Sequence, residues 1–187
     1  MAVKDDILKY TIPQLLRWRV DKTGDKVALR EKEFGYWNNY TWNDFYDRVR
    51  KVALGLEQIG LKKDDKLALI GDNIPEMLFV AIGAQSIGAI SAGIYQTSLP
   101  DEIAELINYM DVTAVFCNDQ EQVDKLVEVR DRIPQVRLVI YEDPRGMRSY
   151  RSDSWFLFIE DLYRIGEKVQ LSIPDLNTRQ RMDTARS

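Results

Sequence analysis

The chain has 187 residues, of which 45% are hydrophobic and 30% charged, with a formal net charge of −4. These proportions are typical of a globular protein, and the acidic balance gives no overall attraction for nucleic acid. The sequence contains no histidine and one cysteine, Cys117, which excludes histidine-dependent catalytic triads, imidazole metal ligands and an internal disulfide framework. We therefore expect a cytoplasmic protein without a nucleic-acid partner.

The first third of the chain predicts a helix, a hairpin and a second helix. Residues 11–19 have the apolar spacing of a short amphipathic helix. Strands at residues 27–30 and 36–41, with a turn near Phe34 and Gly35, predict an antiparallel hairpin. A longer helix should begin after Thr41 or Asn43 as its cap and end at Gly60.

From residue 66 the pattern alternates between strands and helices. Strands are predicted at four places and helices between them, so the crossovers should be right-handed and the sheet mostly parallel. The predicted strands are residues 66–70, 89–95, 113–117 and 136–141, and the helices residues 75–87, 100–109 and a third beginning after Asp119. The predicted fold class is α/β, a mostly parallel sheet with helices on both faces, preceded by the short antiparallel hairpin.

One stretch is long enough to cross a bilayer, because no charged residue lies between Glu76 and Asp101. Its glycine, serine, threonine and glutamine residues make it only slightly hydrophobic. A buried helix followed by a buried strand explains it better, so we expect no transmembrane segment.

After residue 142 the pattern becomes less regular. A polar loop at residues 143–154 carries Arg145, Arg148 and Arg151, and a helix is predicted at residues 158–165. The arginines favour a solvated loop; the alternative is peripheral contact with an anionic membrane surface, which salt-sensitive binding to anionic vesicles would support. From Gln170 onward the sequence is polar and non-periodic, and we expect disorder there.

The ends of parallel strands are where ligands usually bind. The first such loop, residues 71–73, has a single glycine, so we interpret Gly71 as a strand-end turn and Asn73 as a helix cap. The regular spacing of Gly83, Gly88 and Gly93 indicates close helix–sheet contact rather than a phosphate loop. The chain contains neither a dinucleotide fingerprint nor a P-loop.

A polar cluster follows the predicted strand at residues 89–95. Its members, Tyr95, Gln96, Thr97 and Ser98, are our candidates for contact with a substrate. The alternative is that Thr97 or Ser98 caps the helix beginning near Pro100. We assign no catalytic, cofactor-binding or metal-binding residue, and we interpret Cys117 as a small buried hydrophobic residue.

Three segments in order resemble the core motifs of the adenylate-forming superfamily, which includes acyl-CoA synthetases. The segments are YTWNDF at residues 40–45, GDNIPE at 71–76 and AQSIGAISAGIY at 84–95. The runs IYQTS at 94–98 and VFCND at 115–119 are similar to the long-chain fatty-acid–CoA ligase branch. The resemblance extends roughly over residues 11–168.

The resemblance implies that fatty acid, ATP and CoA are substrates, that Mg²⁺ assists, and that an acyl-adenylate forms before the CoA thiol displaces AMP. It also implies that residues 1–168 form an incomplete large domain, because the family's Ser/Thr/Gly-rich phosphate loop should follow near Lys168 and is absent. Residues 169–187 are then an aberrant or disordered tail. We expect the isolated chain to be inactive. The alternative is a stand-alone α/β binding or interaction module without catalysis.

Overall fold

A computed structural model describes residues 9–172. It begins with helix α1 (Ile12–Thr23), strand β1 (Val27–Glu33) and strand β2 (Tyr36–Thr41), and the two strands form the predicted antiparallel hairpin. The Thr11 hydroxyl accepts from the Gln14 amide at 3.5 Å, while the Gln14 side chain accepts from the Thr11 amide at 2.9 Å. This reciprocal cap confirms the predicted start of the first helix, which continues to Thr23, past its predicted end at residue 19.

Helix α2 (Trp42–Gln58) follows the hairpin directly. Thr41, rather than Asn43, is its cap: the Thr41 hydroxyl accepts from the Asp44 amide at 3.1 Å, and Asp44 accepts from the Thr41 amide at 2.8 Å. Gly60 lies just beyond the helix with a φ of 95°, the left-handed conformation that glycine adopts at low cost. Both helix boundaries were predicted correctly, apart from the choice between two caps.

The main sheet has five parallel strands in the order β4-β3-β5-β6-β7, which confirms the predicted α/β class. The strands are β3 (Lys66–Ile70), β4 (Ile90–Ile94), β5 (Ala114–Cys117), β6 (Leu138–Tyr141) and β7 (Phe156–Phe158). The remaining helices are α3 (Pro75–Ser86), α4 (Pro100–Met110), α5 (Gln120–Glu128) and α6 (Ile159–Ser172). Strand β7 was missed, because three residues are too few to show an alternating pattern.

The helices divide between two faces because the chain changes direction in the sheet. It runs outward from β3 to β4 and then crosses back over β3 to β5, so right-handed crossovers place α3 and α4 on opposite faces. Along β3, Leu67 and Leu69 belong to the core shared with α1, α2, α3 and α6, which we call the first face. Ala68 and Ile70 belong to the core shared with α4 and α5, the second face.

Two predicted helix caps were wrong. Helix α3 begins after Ile74 without a side-chain cap, so Asn73 does not cap it. Helix α4 begins after Leu99, whose amide donates to the Glu102 carboxylate at 2.9 Å, so neither Thr97 nor Ser98 is the cap. Both helices have proline at their first position, where an N–H group would have no partner within the helix. Both also have an acid in the first turn, where its negative charge interacts favourably with the helix dipole.

The predicted helix–sheet contact is found at none of the three glycines, although Gly83 lies in a close contact of another kind. A Cβ there would lie 2.5 Å from Val52 Cγ1, so the close contact is between α3 and α2 rather than between helix and sheet. Gly88 has a φ of 81° in the turn after α3, and nothing lies within 4 Å of a Cβ built on Gly93. Regular spacing was therefore not a sign of one common contact.

The end of the described chain is helical. Helix α6 continues to Ser172, past the predicted end at residue 165, so residues 170–172 are helical rather than disordered. The rest of the predicted tail, residues 173–187, lies outside the described residues. Within residues 9–172, no helix combines the length and apolarity that crossing a membrane requires.

Candidate functional site

The strand order brings three loops together at one edge of the sheet. Ile70 of β3 is in register with Ile94 of β4 and with Cys117 of β5, so the loops that follow these strands start side by side. The chain reverses its direction across the sheet at β3, and such a switch point is where open parallel sheets bind ligands.

A cleft of about 480 Å³ opens at this point, between the loops after β3 and β4. We call it the strand-end cleft. Its lining residues are Leu69, Gly71, Asp72, Asn73, Met77, Gly93, Ile94, Tyr95 and Gln96. Of the four predicted candidates, Tyr95 and Gln96 line the cleft, whereas Thr97 and Ser98 lie outside its lining.

The loop after β4 is fixed from both sides. The Gln96 side-chain amide donates to Asp72 Oδ1 at 2.7 Å, which ties the loop to the one after β3. Within the loop, the Ser98 amide donates to the Tyr95 carbonyl at 3.0 Å. The Tyr95 side chain is 83% exposed, so its ring is available to stack against a planar ligand at the cleft mouth.

Lys125 of α5 holds the same loop from the second face. Its Nζ donates to the Gln96 carbonyl at 2.6 Å and to Gln122 Oε1 at 3.3 Å, and it lies 3.0 Å from Glu121 Oε1. Sequence reasoning missed this residue, because the Glu121–Lys125 spacing is typical of a surface ion pair on a helix. The structure shows a cation already engaged in positioning the loop.

Asn118, directly after β5, packs against Gly71. A Cβ on Gly71 would overlap the Asn118 side-chain oxygen, and Gly71 has a φ of 147°, so only glycine suits this strand-end turn. Asn118 is 9% exposed, and among the described residues its Oδ1 has no hydrogen-bond partner. The signal that could have identified it is its position, one residue beyond the strand that neighbours β3.

The arrangement can bind a ligand by hydrogen bonding and ring stacking. Asp72 supplies acceptor oxygens, and Tyr95 supplies an aromatic face. Nothing in the described range, residues 9–172, forms a group of three His, Cys, Asp or Glu side chains able to hold a metal ion. The cleft therefore offers hydrogen-bonding and stacking groups for recognition of a ligand.

Hydrogen bonds and one buried aromatic side chain anchor the arginine-containing loop after β6. Arg145 Nε donates to Asp143 at 2.6 Å, and this bond lowers the pKa of the Asp143 carboxyl. The Tyr150 hydroxyl donates to Asp124 at 2.5 Å, and Trp155 is buried. Arg148 and Arg151 are exposed, so contact with an anionic lipid surface stays a prediction.

Cys117 is fully buried in β5, which confirms its interpretation as a small core residue. Burial raises the pKa of its thiol, and the charge of Asp119 adds to that effect. A buried thiol that resists ionisation is a poor nucleophile, so Cys117 is unsuited to covalent catalysis.

Comparison with known proteins identifies a match over most of the chain. The family model described as AMP-binding enzyme matches residues 16–162. The human long-chain-fatty-acid–CoA ligase ACSBG1 is 30% identical over 138 residues, which are 73% of this chain and 19% of the relative. The rat ACSBG1 is 29% identical over 163 residues, 87% of this chain and 22% of the relative. The chain thus spans about a fifth of the length of these curated relatives.

Solved structures share the fold. The anthranilate CoA ligase AuaEII, solved with anthranoyl-AMP, aligns with a TM-score of 0.72 at 17% identity, covering 83% of this chain and 28% of that one. A putative long-chain-fatty-acid CoA ligase from Rhodopseudomonas palustris aligns with a TM-score of 0.68 at 22% identity, covering 82% and 36%. At these identities the likeness concerns the fold alone.

Proposed function

Because the chain belongs to the AMP-binding enzyme family, we propose that it supplies the first part of the large domain of a long-chain fatty-acid–CoA ligase. The observation that carries the proposal is the strand-end cleft, which lies at the switch point of a parallel sheet and is lined by Asp72, Tyr95 and Gln96. In this proposal, residues 1–168 belong to that domain, and helix α6 continues it to Ser172.

The proposed overall reaction joins a fatty acid to CoA and converts ATP to AMP and pyrophosphate. Residues 9–172 fit Mg²⁺ poorly, since they hold no cluster of metal-ligating side chains. We therefore assign no step of the reaction to a metal held by these residues. The proposed contribution of this chain is the shape of the sheet edge and the positions of Tyr95 and Gln96. We propose a cytoplasmic location, with peripheral membrane contact through Arg148 and Arg151 as a further part of the proposal.

We further propose that the isolated chain does not form an acyl-adenylate. Charge that develops on a transferring phosphate needs fixed cations or several backbone amides aimed at it. At the strand-end cleft, Gly71 is the single glycine of its loop, and the Lys125 ammonium already contacts the Gln96 carbonyl and Glu121. These groups support recognition of a ligand more than stabilisation of a transition state.

The test is fatty-acid-dependent exchange of labelled pyrophosphate into ATP by the purified chain. We expect no exchange above a protein-free blank, with a complete ligase such as human ACSBG1 as the positive control. Exchange by the wild-type chain that disappears in Gly71→Val would contradict the inactivity, because valine would disrupt the cleft through its clash with Asn118. Exchange that persists unchanged in Gly71→Val would indicate a co-purified ligase.

A further inference from the structure

The outer side of helix α4 carries large apolar side chains that are exposed within residues 9–172. Leu99, which directly precedes the helix, is 64% exposed, Leu106 39% and Tyr109 89%. Their separations of seven and three residues place the three side chains on one face of the helix. The opposite face of α4 is buried on the sheet through Ile103 and Ile107. We call the exposed face the α4 stripe.

The apolar surface continues onto the edge strand β4. Ile90 lies on the same side of β4 as Ile94, because side chains alternate along a strand, and Ile94 belongs to the core of the second face. Lys66, the register partner of Ile90, contacts Asp111 at the end of α4 at 3.3 Å. Since Ile90 is 50% exposed, the apolar surface extends from the end of α4 to the sheet edge. An apolar surface shared by two elements indicates an interaction site more than single exposed residues do.

The acidic charge of the chain is concentrated around the α4 stripe. From Leu99 to Glu128 the sequence contains eight Asp or Glu residues and one basic residue, Lys125, whereas the whole chain has a net charge of only −4. The Lys125 ammonium contacts the loop after β4, where it donates to the Gln96 carbonyl. The exposed acids of the two helices are Asp101, Glu102 and Glu105 on α4 and Glu121, Asp124 and Glu128 on α5. The outer side of the second face is therefore strongly negative.

Two arginines that follow this span offset its charge only in part. Arg132 contacts Asp101, and Arg130 pairs with Asp153 and lies against the Trp155 ring. Beside the stripe, Glu102 and Glu105 form no ion pair with any residue of the described chain. Their charges are therefore available to a cationic partner.

We propose that the α4 stripe is the docking surface for a basic amphipathic helix of a partner protein. The apolar face of that helix packs on Leu99, Leu106 and Tyr109, and its Lys or Arg residues pair with Glu102 and Glu105. A helix satisfies its own backbone hydrogen bonds, so it needs only an apolar stripe with complementary charges beside it. The rise from Leu99 to Tyr109 is about 15 Å, which is enough for about three turns of the partner.

The same charges argue against other occupants of the stripe. A second copy of the chain would bring two acidic surfaces together, and anionic lipid or nucleic acid would also be repelled. Charged residues are depleted in the core of permanent interfaces, so a surface with this many exposed acids fits a partner that binds and dissociates. The proposal does not depend on the proposed ligase function, because it concerns the outer side of the second face rather than the strand-end cleft.

The experiment measures binding of a fluorescein-labelled peptide to the purified chain by fluorescence anisotropy. The probe is a peptide of about 18 residues, or about five helical turns, built from Leu and Lys so that the Leu residues share one face. The control peptide has Glu in place of every Lys and the same Leu face. We expect saturable binding of the Leu/Lys peptide, about tenfold tighter or more than that of the Leu/Glu peptide and weakened by added salt.

The apolar part of the surface is tested with Tyr109→Ser. We expect it to weaken binding about fivefold or more, because an aromatic side chain contributes much of the contact area of an interface. The matched control is Tyr36→Ser on β2, since the Tyr36 side chain is 79% exposed away from α4 and its replacement should change nothing. Thermal unfolding checks that each variant folds, and Leu106→Asn replaces Tyr109→Ser if the latter does not.

The charged part of the surface is tested with Glu105→Lys. This reversal removes one exposed ion pair and adds a repulsion, so we expect binding of the Leu/Lys peptide to weaken about fivefold. The matched control is Glu57→Lys, the same reversal at an exposed position on α2 of the first face, which should leave binding unchanged.

Three results would overturn the proposal. The first is a lack of saturable binding of the Leu/Lys peptide, or equal affinity for the two peptides. The second is equal weakening by a stripe variant and its matched control. The third is a concentration-dependent dimer in sedimentation that Tyr109→Ser abolishes, which would assign the α4 stripe to contact between copies of the chain. Because pyrophosphate exchange does not enter the measurement, failure here leaves the proposed ligase function untouched.

Discussion

The two faces of the sheet are packed by different means. On the second face, α4 and α5 lie directly on the strands and bury aliphatic side chains such as Ile103, Ile107 and Leu126. Its buried indole is satisfied, since Trp155 Nε1 donates to the Val136 carbonyl at 2.8 Å. On the first face, helices pack on helices as well as on the sheet, and polar side chains are buried among them. Helix-on-helix packing therefore places stricter demands on individual residues here.

The contact between α2 and α6 shows this demand. A Cβ on Gly166 of α6 would overlap the carbonyl of Lys51 on α2, and a Cβ on Gly55 of α2 would lie 2.7 Å from the carbonyl of Leu162 on α6. Each helix thus presents a glycine to the backbone of the other. Backbone atoms cannot move aside as the end of a flexible side chain can, so neither position has room for a methyl group.

The largest predicted effect is that of Gly166→Ala. Alanine normally stabilises a helix interior by about 1 kcal/mol relative to glycine, but overpacking of a fixed contact costs about 1–3 kcal/mol or more. We expect a net destabilisation of about 1–3 kcal/mol, measured as the free energy of unfolding in urea.

The control for this prediction is Gly93→Ala in β4, because nothing lies within 4 Å of a Cβ built there. Its effect on the free energy of unfolding should stay within about 0.5 kcal/mol, as for substitutions away from special features. If both alanine variants were equally stable, the helices would be able to separate at Gly166, and the distinction between the two faces would fail.

The fold was largely predictable from the sequence because its signals are local. Each of these signals depends on only a few neighbouring residues. The structure confirms the predicted strands of four or five apolar residues, the helix end at Gly60 and the helix cap at Asp119. Strand β7 was not predictable, since three residues show no period, and the caps of α3 and α4 were wrong because proline and acids replaced polar caps. The close contact of Gly166 with α2 joins residues far apart in sequence and leaves no local mark.

The strand-end cleft was predictable only in part. The position of Tyr95 and Gln96 followed from the rule that ligands bind where parallel strands end. The roles of Asn118 and Lys125 depend on which strands are neighbours and on which face α5 lies, and no spacing in the sequence encodes either. Thr97 and Ser98 are adjacent in sequence to lining residues, yet the turn at Ser98 directs the chain away towards α4.

A smaller effect separates two tyrosines on the first face. The Tyr40 hydroxyl donates to Glu31 at 3.3 Å, and burial, with the charges of Glu76 and Glu31, raises its pKa to about 12. The Tyr163 hydroxyl is buried without a hydrogen-bond partner among the described residues, and burial raises its pKa as well. We expect Tyr40→Phe to destabilise the chain by about 0.5–1.5 kcal/mol and Tyr163→Phe to be neutral or stabilising.

The measurement for the tyrosine pair is urea unfolding of both variants at the same pH. The two substitutions remove the same hydroxyl oxygen. The difference between their changes in the free energy of unfolding therefore reports the contribution of the hydrogen bond to Glu31. A larger loss in Tyr163→Phe than in Tyr40→Phe would show that the buried hydroxyl does have a partner, and that the first face is as well satisfied as the second.

The smallest effect concerns Glu76, in the first turn of α3. Burial raises the pKa of its carboxyl, the charges of Glu31 and Glu160 add to this, and its own backbone amide and Arg48 oppose it. A carboxyl whose pKa is higher in the folded chain binds its proton more tightly there, so it destabilises the fold once ionised. This penalty is absent below the unfolded pKa of about 4.3 and grows as the pH rises from there through the pKa of the folded chain.

Glu76→Gln cannot ionise, so its free energy of unfolding relative to wild type should increase from pH 4 to pH 7. A difference that stayed constant over this range would mean that Arg48 and the helix N-terminus fully compensate the buried charge, and would remove Glu76 from the features that distinguish the first face.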